Sequence, residues 1–164
     1  MCYIITPAQQ AAIFNLETCY QSIAMIQTPD FKLWREDKVL IAVISGSWSR
    51  FSAMDFATEF KAIAEPLIGQ PWAHIVYMDD WHLGVPEIEP IVQDLVVWCI
   101  KHDLRYAAQV YCPNMVKRYQ MDRMVIEKTD NFERRIFAEQ QAAFAWLASL
   151  GFYTQHTNFT HQAG

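Results

Sequence analysis

Three short, almost uninterrupted apolar runs constrain the fold of this chain more than any other feature. They are Val39–Ile44, Trp72–Met78 and Tyr106–Tyr111. Runs of this length without regular polar alternation are typical of strands that are buried on both faces, as in parallel sheets. Parallel strands need long crossover connections, which are usually helical. The sequence therefore predicts an α/β fold with a mainly parallel sheet covered by helices.

Amphipathic helical patterns fill the intervals between and after these runs. The first helix is expected to begin at Ser52-x-x-Asp55, which resembles a capping box, and to end at Pro66 and Gly69. Three further helices are predicted, over approximately residues 88–99, 113–126 and 143–150.

Two more segments have strand character. The alternating stretch Phe31–Arg35 is expected to form a hairpin with the first apolar run, across a turn at Glu36-Asp37. The short, charged stretch Phe132–Phe137 predicts an edge strand. The predicted order is ββαβαβαβα, in a mixed but mainly parallel sheet.

This order places one domain at residues 30–151. Residues 1–29 are interpreted as an N-terminal extension, where Thr6 and Pro7 are typical of a helix start. Residues 152–164 are expected to be a polar, loose C-terminal tail, and its His156 and His161 are interpreted as incidental. The extension is a candidate surface for homodimerisation.

Composition limits the class of protein. With 52% hydrophobic and 14% aromatic residues, the chain can bury a sizeable core. No apolar run is long enough to span a membrane, and the N-terminus lacks the pattern of a signal peptide. We therefore expect a cytoplasmic protein whose four cysteines are reduced; Cys99 and Cys112 fall in apolar segments and are interpreted as buried, inert thiols.

Charge is distributed unevenly along the chain. The net charge is −5, yet residues 101–135 contain eight basic and five acidic residues. This basic sector could receive an anionic partner, or it could consist of solvated helix faces. No nucleic-acid-binding motif accompanies it, so nucleic acid is not an expected partner.

Signatures of catalysis are missing from the sequence. It contains no Gly-x-Ser-x-Gly elbow, no P-loop, no Gly-x-Gly-x-x-Gly and no Cys/His cluster with metal-ligand spacing. Neither an enzymatic activity nor a cofactor or bound metal is predicted.

Several strings, in their order along the chain, resemble the small SpoIIAA-like proteins of the STAS/SEC14 type. They are Gly46-Ser47-Trp48, Gly69–Ala73 leading to Tyr77–Trp81, and Phe137 followed by Ala143-x-x-Trp146-Leu147. STAS denotes the sulfate transporter and anti-sigma factor antagonist domain. The resemblance covers roughly residues 30–150 and implies a STAS-like α/β domain that acts as a protein-interaction or regulatory module.

In the regulatory relatives, a serine or threonine in the loop after the third strand is phosphorylated. The matching loop here is Asp79–Glu87, and no Ser or Thr occurs between Glu59 and Lys128. No phosphorylation site is therefore predicted, and an inherited phosphoryl switch is not expected.

Two binding regions are predicted. The first is the loop with Asp79, Asp80, Trp81, His82 and Gly84, because ligands of open α/β sheets bind beyond the carboxyl ends of strands. Its two carboxylates and imidazole could bind a cation or exchange protons, and the loop with the following helix start is the predicted binding surface. Alternatively, Asp80 caps a turn, Trp81 packs on the core and His82 is solvated.

The second region is an apolar pocket implied by the SEC14-type resemblance. On the helix at 113–126, the side chains of Met115, Tyr119, Met121 and Met124 could line it. The alternative is ordinary core packing. A flat apolar surface would favour a protein partner, whereas an apolar cavity would favour a carrier or sensor of a small hydrophobic ligand.

Overall fold

The computed structural model describes residues 30–112, 114–157 and 159, so the extension predicted over residues 1–29 lies outside the described part. Within it, the strands are β1 (Asp30–Glu36), β2 (Val39–Trp48), β3 (Trp72–Tyr77), β4 (Trp81–Gly84), β5 (Leu104–Val110), β6 (Lys128–Thr129) and β7 (Phe132–Phe137). The helices are α1 (Arg50–Ala64), α2 (Ile88–Lys101), α3 (Met115–Met124) and α4 (Gln140–Ser149), and a 3-10 turn at Glu65–Leu67 follows α1.

The sheet has the strand order β1-β2-β3-β5-β7-β6, and β4 pairs with the end of β2. The pairs β1–β2 and β6–β7 are antiparallel, and the other pairs are parallel. The fold is therefore α/β with a mixed, mostly parallel sheet, as the apolar runs predict. Within the described ranges, no helix is both long enough and apolar enough to cross a lipid bilayer.

Helix α1 begins earlier than its sequence pattern suggests. Its N-cap is Ser49, whose hydroxyl accepts a hydrogen bond from the backbone N–H of Ser52, and the Ser52-x-x-Asp55 pattern lies inside the helix. The prediction of a cap at Ser52 is wrong because β2 ends at Trp48 and the next hydroxyl residue already satisfies the helix start. The predicted C-terminal signals are confirmed: the 3-10 turn contains Pro66, and Gly69 has a φ of +92°.

Two short strands were not predicted. β4 pairs with β2 beyond the point where β3 ends, so β2 changes partner along its length. β6 pairs with two residues at the start of β7. The prediction that Phe132–Phe137 is the edge strand is therefore wrong over those two residues, where β6 forms the edge instead.

Two cores lie on opposite faces of the sheet. One is packed beneath α1, α2 and α3, and it contains Leu40, Trp72 and Tyr111. The other is packed beneath α4 and includes Phe152 and Phe159 from the segment that follows this helix. The expectation of a loose tail is wrong for these residues, since both phenylalanines are buried.

Polar contacts also fix the segment after α4. The carboxylate of Glu36 accepts hydrogen bonds from the backbone N–H groups of Gln155 (2.7 Å) and His156 (3.1 Å). The His156 Nδ1 lies 2.7 Å from the same carboxylate. His156 thus joins this segment to the end of β1, whereas His161 lies outside the described residues.

Candidate functional site

An apolar cavity lies between the sheet and the layer formed by α1, α2 and α3. It offers about 100 Å³ to the centre of a water-sized sphere. Its walls are formed by Ile44, Trp48, Phe56, Phe60, His74, Val76, Met78, Trp81, Ile88, Val92, Leu95, Val96, Cys99, Leu104, Ala107, Gln109, Met121, Met124, Val125 and Phe132. None of these side chains is an acid, a lysine or an arginine, so the cavity suits an uncharged occupant.

Two tryptophans in the cavity wall differ in their hydrogen bonding. The indole Nε1–H of Trp48 donates to the carbonyl oxygen of Ser45 at 2.9 Å. Trp81 is only 2% exposed, and its Nε1 is buried without a hydrogen-bond partner among the described residues. Since an indole N–H can only donate, Trp81 carries an unused donor on a side chain that lines the cavity.

His74 is held in one protonation state. Burial lowers the pKa of His74 to about 4, although a hydrogen bond with the Leu40 carbonyl acts in the opposite direction. Its Nδ1 lies 2.9 Å from that carbonyl oxygen, which can only accept, so Nδ1 carries the proton of the neutral ring. The edge of the ring packs on Phe60, with ring centroids 5.0 Å apart. This histidine adds a neutral polar group to the wall.

Gln109 separates the cavity from a buried arginine. Its side-chain oxygen accepts a hydrogen bond from Arg134 Nη1 at 3.1 Å, and Arg134 Nη2 pairs with Asp122 at 2.6 Å. The two Nη atoms are therefore paired, whereas the buried Nε has no hydrogen-bond partner among the described residues; Arg134 does not line the cavity.

The predicted loop after β3 is held firmly by α3. Lys117 Nζ donates to the backbone carbonyls of Met78 (3.0 Å) and Asp79 (2.7 Å). The Asp79 carboxylate accepts the backbone N–H of Cys112 at 2.6 Å. Asp80 is exposed, and its backbone carbonyl, rather than its side chain, accepts a hydrogen bond from Gly46. That Asp80 caps the turn stays a prediction.

Within that loop, Trp81–Gly84 form strand β4. Trp81 faces inward to the cavity, and His82 is exposed. Gly84 exchanges two hydrogen bonds with the side-chain amide of Gln120 in α3. A Cβ at position 84 would collide with the buried side chain of Ile88, so a larger residue fits there only if that side chain moves. Of the five predicted loop residues, only Trp81 lines the cavity.

Of the residues of α3 that were predicted to line a pocket, some line the cavity and others do not. Met124 is 3% exposed and lines the cavity together with Met121. Tyr119 is 65% exposed and lies beneath the guanidinium of Arg123. The prediction that Tyr119 lines a pocket is wrong because it lies on the outer face of the helix. The side chain of Met115 falls outside the described part.

Sequence analysis missed the contributions of β3, α1 and α2 to the cavity. A usable signal was present in β3, where strand alternation places His74 on the same face as Trp72 and Val76. No comparable pattern in the sequence indicates that the side chains leave a volume unfilled.

The other groups considered in the sequence are two cysteines, possible metal ligands and the basic sector. Cys99 lies in the cavity wall, where burial raises the pKa of its thiol to about 12, whereas Cys112 is exposed, contrary to the expectation that it is buried. In the described ranges, no three or more acidic, histidine or cysteine side chains converge in a way that could hold a metal ion. In the basic sector, six residues pair with carboxylates: Arg105, Arg118, Arg123, Lys128, Arg134 and Arg135.

Comparison with solved structures identifies the fold. The chain resembles the crystal structure of an uncharacterized protein of the DUF3478 family, with a SpoIIAA-like fold, from Shewanella loihica PV-4. The two share 10% sequence identity with a TM-score of 0.54, over 73% of this chain and 93% of the other. No family model matches this chain, and no curated protein matches it. The chain thus has a SpoIIAA-like fold, which confirms the predicted architecture.

Proposed function

We propose that this domain is a non-catalytic binding protein for a small, uncharged, apolar ligand, which it holds in the cavity between the sheet and α1–α3. The observation that carries this proposal is the apolar, charge-free cavity itself. Protein interiors are normally packed to the density of organic crystals, and few voids exceed the size of a water molecule. Small-molecule sites are concave, apolar and furnished with a few polar groups, as this one is with Trp81, His74 and Gln109.

The volume limits the size of the ligand. An engineered protein cavity of about 150 Å³ lined by aliphatic and aromatic side chains binds benzene. The cavity described here, at about 100 Å³, is of the same order. It therefore suits a single ring or a short branched chain, and a long-chain lipid of the kind implied by the SEC14-type resemblance does not fit it.

The test uses toluene as a probe and Ala107→Val as the blocking variant. Ala107 lies in β5, 4% exposed, in the cavity wall, and two added methyl groups would occupy part of the void. Toluene is expected to raise the melting temperature of the wild type in a concentration-dependent way. The rise should be absent in Ala107→Val and retained in Ala142→Val, which makes the same change at an exposed position of α4. A wild type whose melting temperature does not respond to toluene contradicts the proposal.

A second candidate function is protein interaction, and exposed apolar side chains favour it. Phe51 at the start of α1 is 76% exposed, and Val116 and Tyr119 on α3 are 61% and 65% exposed. Exposed apolar residues of this size are typical of interaction surfaces when they are contiguous. The partner that the chain alone can test is a second copy. Sedimentation should then show a dimer that is weakened by Tyr119→Ser or Phe51→Ser, and a monomer at every concentration would contradict self-association.

A further inference from the structure

We propose that the ligand of the cavity carries a hydrogen-bond acceptor, such as a carbonyl oxygen, which binds the indole N–H of Trp81. This inference rests on the proposed function and specifies the ligand's chemistry. A purely hydrocarbon ligand would fill the cavity but leave this donor unpaired.

The unpaired state of Trp81 is the first observation. Buried polar groups in proteins are nearly always hydrogen-bonded, because an unmade hydrogen bond forfeits the solvation that the group had in water. Trp81 breaks this rule in the wall of the cavity, where its Nε1 lacks a partner within the described part of the chain. Because this nitrogen has almost no accessible surface, an acceptor in the cavity satisfies it only if the indole ring shifts toward the void.

Trp48 provides the contrast within the same wall. Its N–H already donates a hydrogen bond to the Ser45 carbonyl, so it needs no acceptor from the ligand. The two indoles therefore contribute differently: Trp48 contributes apolar surface, and Trp81 contributes apolar surface together with one donor. The acceptor of the ligand is expected next to Trp81.

The lack of charged side chains in the cavity wall further limits the chemical class of the ligand. The side chains in the wall carry no formal charge at neutral pH, and the nearby Arg134 is paired with Asp122 and Gln109. A carboxylate or ammonium group would enter without a counter-charge, at a large desolvation cost. The acceptor is therefore expected to be neutral, as in a ketone, an aldehyde or an ester.

The experiment compares benzaldehyde with styrene, which have the same shape and differ mainly in a carbonyl oxygen against a methylene group. Dissociation constants for both are measured by calorimetry in the wild type, Trp81→Phe and Trp48→Phe. Trp81→Phe should lower the affinity for benzaldehyde relative to styrene by about three- to ten-fold, the usual contribution of one neutral hydrogen bond. Trp48→Phe removes an indole whose N–H is already bonded, and it should leave the ratio as in the wild type.

A second measurement needs no substitution of Trp81 in the binding sample. The indole 15N–1H signal of Trp81, assigned by its loss in Trp81→Phe, should move downfield when benzaldehyde is added to the wild type and much less with styrene. If both probes bind but the affinity ratio and this signal are independent of Trp81, the inference is overturned and the proposed function stands. If neither probe binds, the proposed function itself fails.

Discussion

The two faces of the sheet are built from the same strands, yet only one of them contributes residues to the cavity, and we call the other, the face beneath α4, the packed face. Ala107 and Ala108 are neighbours in β5, and they belong to opposite cores. The face beneath α1, α2 and α3 contains the cavity, whereas no member of the core beneath α4 lines it. The strands alone therefore do not create the cavity; it arises from the way three helices span one face while a single helix and the segment after it close the other.

The largest expected effect compares one leucine from each face. Leu147 of α4 is fully buried in the packed face, and Leu95 of α2 is buried beside the cavity. Leu147→Ala should lower the free energy of unfolding by about 4 kcal/mol and Leu95→Ala by about 2 kcal/mol, because Leu95 already lacks contacts on its cavity side. Urea unfolding of both variants measures the difference. Equal losses would show that the two faces are packed alike.

The next effect concerns the histidine in the cavity wall. Burial lowers the pKa of His74 to about 4 from 6.5, so the unfolded chain takes up a proton between these pH values and the native protein does not. Stability should therefore fall as the pH decreases from 6.5 to 4, by about 2–3 kcal/mol from this residue. His74→Asn keeps an N–H donor for the Leu40 carbonyl and removes the titration, so the fall should be smaller in this variant.

The control for that measurement is Gln141→Asn, which introduces an asparagine at an exposed position of α4 and removes no titrating group. Its unfolding free energy should depend on pH as that of the wild type does. If His74→Asn and the wild type lose stability in parallel between pH 6.5 and 4, then His74 is not held neutral in the native state.

A smaller effect distinguishes the neighbouring alanines of β5. Ala108→Val adds methyl groups to a closely packed face and should cost about 1–3 kcal/mol of unfolding free energy. Ala107→Val extends into the cavity and should be neutral or stabilising by less than about 1 kcal/mol. Thermal unfolding of the two variants, recorded without ligand, gives the comparison. A larger loss for Ala107→Val would mean that the cavity wall cannot accept added volume.

The smallest effect tests the segment that completes the packed face. Burial raises the pKa of Glu36, but hydrogen bonds from His156, Trp34 and Gln155 outweigh it and hold that pKa below its usual 4.5. The stabilisation should therefore be complete above pH 4.5 and be lost as the pH falls through the lowered pKa. Glu36→Gln should cost about 1 kcal/mol at neutral pH.

Stability of this variant and the wild type is measured against pH by urea unfolding, with Asp37→Asn in the adjacent exposed turn as the control. The difference between Glu36→Gln and the wild type should shrink in acid, and that of Asp37→Asn should stay small throughout. A constant difference at every pH would contradict a role for the Glu36 charge.

Periodicity explains what the sequence could predict, and long-range packing explains what it could not. β2 begins with six consecutive apolar residues, and the runs Trp72–Met78 and Tyr106–Tyr111 are each interrupted by a single polar residue, so the burial of these strands is visible locally. β4 has four residues, next to two aspartates, and becomes a strand only because the end of β2 lies beside it.

The same limit applies to the candidate site and to the C-terminal segment. The sequence predicts that both Met124 and Tyr119 face the pocket, but only Met124 does, so the apolar or aromatic character of a helical residue does not by itself tell which face of the helix it lies on. Phe152 and Phe159 are separated by polar residues without a regular period, so their burial depends on the distant face they cover. The cavity depends on side-chain volumes from several elements at once and has no local signature.

The burial of Phe152 and Phe159 also bears on how the protein is made. Translation proceeds from the N-terminus, so β2, β3 and β5 leave the ribosome before α4 and these two phenylalanines. During that interval Ile41 and Ile75 on the packed face have no cover, whereas α1 and α2 are already available for the other face. Exposed apolar strands in nascent chains are prone to aggregation. We therefore expect chains truncated after Leu150 to require chaperones or to precipitate, because Phe152 and Phe159 are then missing from the face that they cover.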